Sequence, residues 1–273
     1  MTRFTQGGAR VVQCVRCRLL YTDPPVSGRY YGAIRRQDWF VEARAAAASK
    51  MNVYLAHVRA IDRLNTGGAR WRILDVGCGM GGFLSAAAAY GYDGYGIEAS
   101  AEQAAWAQGL HLNVRHGDAV DVFRPLTFQV VTLWEVLEHI PRPKEMLTAV
   151  REVLEPGGYL VLGVPNGPHA LWKAKVLRPF GGARGDVVGV GEHVVHYSAE
   201  TIRMVLASTG YEVLSVRSGP VGVFDGALRH VKRAGMEALT ALGHLVGTPL
   251  GASLLVVARR PGEASAADAE GPR

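Results

Sequence analysis

Ile73-Leu74-Asp75-Val76-Gly77-Cys78-Gly79-Met80-Gly81-Gly82-Phe83 is the stretch on which the fold turns. Its first half is a short apolar run rich in branched residues, the composition of a strand buried on both faces. Its second half is dense in glycine, which supplies backbone conformations closed to other residues and lets the chain approach a ligand closely. Alanine-rich sequence of helical spacing follows over 82–90 and stops at Gly91. Strand, glycine turn and helix in that order open an α/β sheet.

The alternation continues toward the C-terminus. Runs at 94–98, 112–115, 129–133, 159–164, 212–217 and 253–258 read as strands, and 100–108, 143–154 and 198–209 as helices. Ser100 and Ser198 suit helix N-caps, while Gly109 and Gly210 suit the left-handed position past a helix end. Right-handed crossovers make the first four strands mostly parallel. The chain is 48% hydrophobic and 20% charged over 273 residues, which excludes a disordered or fibrous protein. Three cysteines, of which only Cys14 and Cys17 are close, exclude a disulfide framework and point to a reducing compartment. With no apolar run near the roughly 20 residues of a membrane span, the expected location is cytoplasmic. The net charge of +6 comes without dense basic blocks, so nucleic acid is not an expected partner.

Three regions stand outside the rhythm, and the expected domains follow from them: a cap or lid over 1–70, an α/β domain over 71–260 with insertions at 165–197 and 218–250, and a disordered tail over 261–273. The cap combines a loop-like start, an aromatic patch of Tyr30, Tyr31, Trp39 and Phe40, and an alanine-rich helix over 43–64. Residues 165–197 are longer than ordinary connections and are the first candidate for substrate contact. Over 225–246, Leu228, Val231, Leu239, Leu242 and Val246 recur at helical spacing beside Arg229, Lys232 and Arg233. That pattern predicts a packed lid helix, with peripheral membrane contact as the alternative.

Gly77, Gly79 and Gly82 satisfy the G-x-G-x-x-G spacing of dinucleotide enzymes, and Glu98, ending the next strand, is placed to accept from both hydroxyls of a ribose. Asp75 separates the possible cofactors, because a negative charge two residues before the first glycine disfavours a pyrophosphate and suits a cationic ligand. An acid followed by G-x-G-x-G over 75–81 resembles the first motif of class I S-adenosylmethionine-dependent methyltransferases. Gly117-Asp118-Ala119, Trp134-Glu135-Val136-Leu137-Glu138-His139 and Glu155-Pro156-Gly157-Gly158 resemble later motifs of that family, so the likeness covers 71–217 and extends to Ala258. It implies an α/β, Rossmann-like, seven-stranded, mostly parallel sheet of order 3-2-1-4-5-7-6 with its last strand antiparallel. It also implies S-adenosyl-L-methionine bound by Asp75, Gly77, Cys78, Gly79, Gly81, Glu98, Ala99, Asp118, Ala119 and Glu135, with Cys78 filling space rather than reacting. The rival readings are a nicotinamide-dependent oxidoreductase, supported by the glycine spacing alone, and a non-catalytic protein that binds S-adenosylmethionine.

A neutral hydroxyl acceptor needs a base, and histidine titrates in the right range. His139 follows Glu135 and Glu138 at a spacing that shares one face of a helical turn, if such a turn forms. The Glu-x-x-Glu-His element is similar to one associated with a divalent metal in ubiquinone-pathway O-methyltransferases. The resemblance thus implies a divalent cation there, beside the plainer reading of a cofactor-pocket wall. Glu192-His193-Val194-Val195-His196-Tyr197-Ser198 resembles an element of methyltransferases acting on small molecules and sugars. Residues three apart in extended chain face opposite sides, so the two histidines are expected to differ in role, with His193 and His139 the candidate bases. Cys14-Val15-Arg16-Cys17 resembles half of a zinc ribbon, either a remnant or the end of a longer motif. Structural zinc needs four ligands, so no metal site is assigned. The expected partner is a small-molecule acceptor.

Overall fold

A computed structural model describes residues 1–6, 9–24, 50–177, 188–219, 229–245 and 247–262. The chain opens with three strands, β1 (Thr2–Gln6), β2 (Ala9–Gln13) and β3 (Leu20–Asp23), followed by helix α1 (Met51–Asp62). The alternating part then runs β4 (Arg72–Val76), α2 (Gly82–Ala89), β5 (Asp93–Glu98), α3 (Ala101–Gly109), β6 (Asn113–His116), β7 (Phe128–Trp134), α4 (Pro143–Val153) and β8 (Leu154–Pro165). It closes with α5 (Gly167–Leu177), β9 (Val195–His196), α6 (Ala199–Ala207), β10 (Glu212–Ser218), α7 (Arg229–Leu245) and β11 (Ser253–Arg259).

Seven strands form one sheet in the order β6-β5-β4-β7-β8-β11-β10. In order of appearance this is 3-2-1-4-5-7-6, and β11 is antiparallel to both neighbours while the other pairings are parallel. Strand periodicity sets the two faces. Leu74, Val131, Leu133, Leu160 and Leu162 pack with Val150 and Leu206 on one side. Ile73, Val130 and Val161 pack with Phe83, Ala87 and Ala107 on the other. Two buried faces are why these strands read as unbroken apolar runs rather than as alternation.

Four expectations need correction. The start is not loop-like: β1, β2 and β3 form a second, antiparallel sheet with β9. The 165–197 region is not irregular throughout, since α5 fills its first third; Gly167-Pro168 reads as a helix breaker, but proline is tolerated in the first turn, where its missing N–H has no partner to lose. Glu155-Pro156-Gly157-Gly158, which the family resemblance implies to be the turn before the fifth strand, lies within β8, as an irregularity opposite the segment between Phe128 and Val130. The helix expected over 225–246 exists as α7 but is not wholly packed: Val231 is 69% exposed and Leu245 83%. The aromatic patch at 30–40, the start of the alanine-rich helix, Leu228, Val246 and the tail beyond 262 lie outside the described residues. Among the described residues no helix is long and apolar enough to cross a membrane.

Candidate active site

The glycine turn leaves the carboxyl end of β4, at the centre of the sheet. Gly77, Gly79 and Gly81 all have positive φ, at 72°, 56° and 78°. At Gly77 the need is double, because a Cβ there would also lie 2.5 Å from Cγ2 of Val136. The amides of Gly77 and Cys78 donate to the Ile97 carbonyl at 2.8 and 3.0 Å, pinning the turn to β5. Glu98 completes the fastening: its carboxylate accepts from Gly79 N at 2.7 Å and Ser100 N at 2.8 Å.

Asp75 is 2% exposed, and its Oδ1 accepts from the Thr132 hydroxyl at 2.7 Å. Burial pushes its carboxyl up to about 8, helped by the charge of Glu98 and opposed by the Thr132 bond. Glu98 is also raised by burial, with the amide hydrogen bonds pulling the other way. Two buried acids thus lie beneath a backbone that is open to solvent at Gly77, Ala99, Asp118, Ala119 and Glu135. A positive group settling there recovers the cost of burying carboxylates. Gly81 and Cys78 are buried, and a Cβ on Gly96 would meet Cys78 Sγ, so this thiol fills the turn's interior and burial raises it further out of the reactive range.

α1 covers this turn from the N-terminal side. A Cβ at Gly82 would lie 2.5 Å from the ring of Tyr54, whose hydroxyl is pushed up to about 12 by burial and by Asp75. One turn on, His57 stacks on Trp134 at 3.7 Å between centroids and 5° between planes. Burial lowers His57 to about 4, so the ring is neutral at ordinary pH. Neither residue was a sequence candidate, although their spacing of three on an alanine-rich helix marks one face.

A second cluster follows β7. Glu135 has a φ of 56° and stands open to solvent in the crevice, while Leu137–His139 form one 3-10 turn with Glu138 and His139 buried. Glu135, Glu138 and His139 therefore do not share a helical face. The turn stops after three residues, and Pro143 opens α4 instead of extending it. Neither Glu138 carboxylate oxygen makes a hydrogen bond among the described residues, though the group is 1% exposed, with His139 Nε2 3.8 Å away. Burial and the charge of Glu135 hold it well above the usual carboxylate range. His139 Nδ1 lies 3.0 Å from the Glu192 carbonyl, which can only accept, so the neutral ring carries its lone pair on Nε2. The His139 and His193 rings are 5.0 Å apart, and Glu138, His139 and His193 offer ligand atoms within 4.8 Å of one another. One carboxylate and two imidazoles fit a divalent cation, with His193 standing where the sequence resemblance implied Glu135.

The N-terminal sheet holds this cluster in place. Thr22, 1% exposed in β3, donates its amide to the Val194 carbonyl at 3.0 Å and its hydroxyl to the His193 carbonyl at 2.7 Å. Having spent its proton, the hydroxyl accepts from His196 Nε2 at 2.9 Å. His196 is thereby tied into a buried bond while His193 stays half-buried beside His139. Nothing in the sequence around Thr22 signals this, because its partners lie 171 and 174 residues away.

A family model described as a methyltransferase domain matches residues 44–216. A ubiquinone biosynthesis O-methyltransferase of Xanthomonas oryzae is 30% identical over 169 residues, which are 56% of this chain and 69% of that one. Another, of Paraburkholderia phymatum, is 31% identical over 35% of this chain and 44% of its own, and one of Pectobacterium carotovorum is matched over 48% of its own, so the chain spans about half the length of these two relatives. The magnesium protoporphyrin IX methyltransferase of Synechocystis, solved with bound S-adenosylhomocysteine, superposes with a TM-score of 0.53 at 16% identity over 78% of this chain and 84% of that one, a likeness of fold.

Proposed function

The chain belongs to the methyltransferase domain family, and from that premise we propose that it transfers the methyl group of S-adenosyl-L-methionine to a hydroxyl oxygen of a small-molecule acceptor. The observation that carries this reading is the pair of buried acids, Asp75 and Glu98, under an open glycine turn at the carboxyl ends of β4 and β5. These residues fit the cofactor: Asp75 would face its ammonium and sulfonium end and Glu98 its ribose. Ala99, Asp118 and Ala119 would border the adenine, and Glu135 the wall toward the acceptor. Bound there, S-adenosylmethionine supplies a methyl group activated by sulfonium charge, which leaves positioning as the main task of the chain.

Ionisation of Asp75 is favoured by a cationic ligand and would repel a pyrophosphate, so Asp75 argues against a nicotinamide cofactor. On the acceptor side, the lone pair on His139 Nε2 and the half-buried His193 are suited to take the hydroxyl proton as oxygen attacks carbon. The buried Glu138 carboxylate, whose oxygens make no hydrogen bond among the described residues, supports a second reading, in which Glu138, His139 and His193 would hold a divalent cation that makes the hydroxyl more acidic. The test is transfer of label from methyl-labelled S-adenosylmethionine to a panel of hydroxylated small molecules, with and without chelator. Transfer by the wild type, abolished in Asp75→Asn and reduced in His193→Ala, is expected. Label that never leaves the cofactor for any hydroxyl, or turnover indifferent to both substitutions, would overturn the assignment.

A further inference from the structure

Two cavities lie beyond β8 on the acceptor side, and they share one side chain. The smaller, of about 310 Å³, is bordered by His193, Glu192, Lys173 and His169. The larger, of about 480 Å³, lies between α5, the start of α6 and α7, with Trp172, Leu239, Pro249 and Leu250 on its walls and His169 again at its edge. Both volumes are in the range that small-molecule sites occupy. Their linings differ in kind. The first is mixed, with Lys173, Glu192 and two histidines among small apolar residues, and reaches the imidazole of His193, which stands next to His139 in the turn after β7. The second is chiefly apolar and includes the indole of Trp172, 55% exposed although it sits beside apolar walls.

His169 stands where the two meet, and its state follows from its contacts. Nδ1 lies 3.0 Å from the Leu250 carbonyl and must donate to it, which leaves Nε2 as an acceptor on the neutral ring. Partial burial and the neighbouring Lys173 both disfavour a second proton. The walls around it are braced: Asn166 donates to the carbonyls of Pro249 at 3.1 Å and Gly251 at 2.8 Å, holding the 249–251 loop against the end of β8. An apolar cavity bordered by the same hydrogen-bond acceptor as a second cavity beside a candidate base suits an amphipathic molecule.

We propose that these two cavities, which meet at His169, together form the acceptor site and that the acceptor carries an apolar ring or chain, seated against Trp172, Leu239 and Leu250, joined to a polar part with a hydroxyl donor near His169 and His193. The inference rests on the methyltransferase reading and narrows its acceptor from any hydroxylated small molecule to an amphipathic one. A polyhydroxylated, sugar-like acceptor would leave the larger chamber's apolar wall uncovered.

The test is equilibrium dialysis of the full chain with 2-naphthol, 2-methoxynaphthalene and myo-inositol, beside S-adenosylhomocysteine binding on the same preparations. Expected are one site for 2-naphthol, none for myo-inositol, and weaker binding of 2-methoxynaphthalene, which has no proton to give His169. Ala199→Trp, which fills the larger chamber, and Leu239→Asp, which makes its wall charged, should each weaken 2-naphthol about tenfold or more. S-adenosylhomocysteine affinity and thermal midpoint should stay near wild type in at least one of the two. His169→Ala should erase the preference for 2-naphthol over its methyl ether. Binding of myo-inositol, no binding of 2-naphthol, or 2-naphthol binding that ignores both chamber substitutions would overturn the proposal. Failure of the wild type to bind S-adenosylhomocysteine would strike the methyltransferase reading instead, since the naphthol measurements need no cofactor.

Discussion

Asp75 keeps a proton in the folded chain that it would release on unfolding. Its carboxyl sits at about 8 rather than its ordinary 3.8, so between those values the folded form binds more protons than the unfolded one. Stability of the ligand-free protein should therefore fall as pH rises from about 4 to about 8, the reverse of the usual carboxylate. A cationic ligand favours the ionised acid, so binding of S-adenosylhomocysteine, whose ammonium carries that charge, should release a proton at pH 7. Calorimetry in buffers of different ionisation enthalpy measures this, with no release in Asp75→Asn; equal heats for the wild type in all buffers would refute it. Gly77→Ala should cost about 1–3 kcal/mol from its left-handed backbone, with more from Val136. Urea denaturation checks the loss, and adding Val136→Ala should return the steric part. Asp75, Gly77, Gly79 and Glu98 were legible because acid, glycines and strand ends are local in sequence. Thr132, which bonds Asp75 from 57 residues away, was not.

At the scale of elements, the decisive contact is between β3 and β9. Thr22 fixes the backbone of His193 and the ring of His196, so the N-terminal hairpin positions the candidate base without reaching the cofactor turn. Thr22→Val should lower kcat about tenfold through two lost hydrogen bonds, while S-adenosylhomocysteine affinity is unchanged. Thr22→Ser should restore most of the rate. An equal fall in cofactor affinity would instead indicate general loosening. The hairpin escaped the sequence reading because its strands are short and are completed by β9, which offers only Val195 and His196. α5 escaped because Gly167 and Pro168 stand at its first turn, whereas α2 and α6 were legible from an alanine run and a serine cap.

Across the whole molecule, the sheet does the positioning: β4, β5 and β7 bring Asp75, Glu98 and Glu135 to adjacent strand ends, although 60 positions separate the first from the last. Leu162 lies fully buried in β8 between β7 and β11, and Leu162→Ala should cost about 2–5 kcal/mol in urea denaturation, with the cofactor site intact in the folded fraction. A loss below about 1 kcal/mol would contradict a shared core. Strand positions were legible from apolar runs, and their order came from the family resemblance rather than from periodicity, which carries no lateral information. The cavities proposed for the acceptor were least legible, because their walls come from α5, α6, α7 and two loops whose residues meet only in the fold. The central claim is tested most directly by calorimetric binding of S-adenosylhomocysteine to the wild type and to Glu98→Ala, with NAD as control. Binding by the wild type, its loss in the folded variant and indifference to NAD are the predicted results; a folded wild type that binds NAD and ignores S-adenosylhomocysteine would contradict the account.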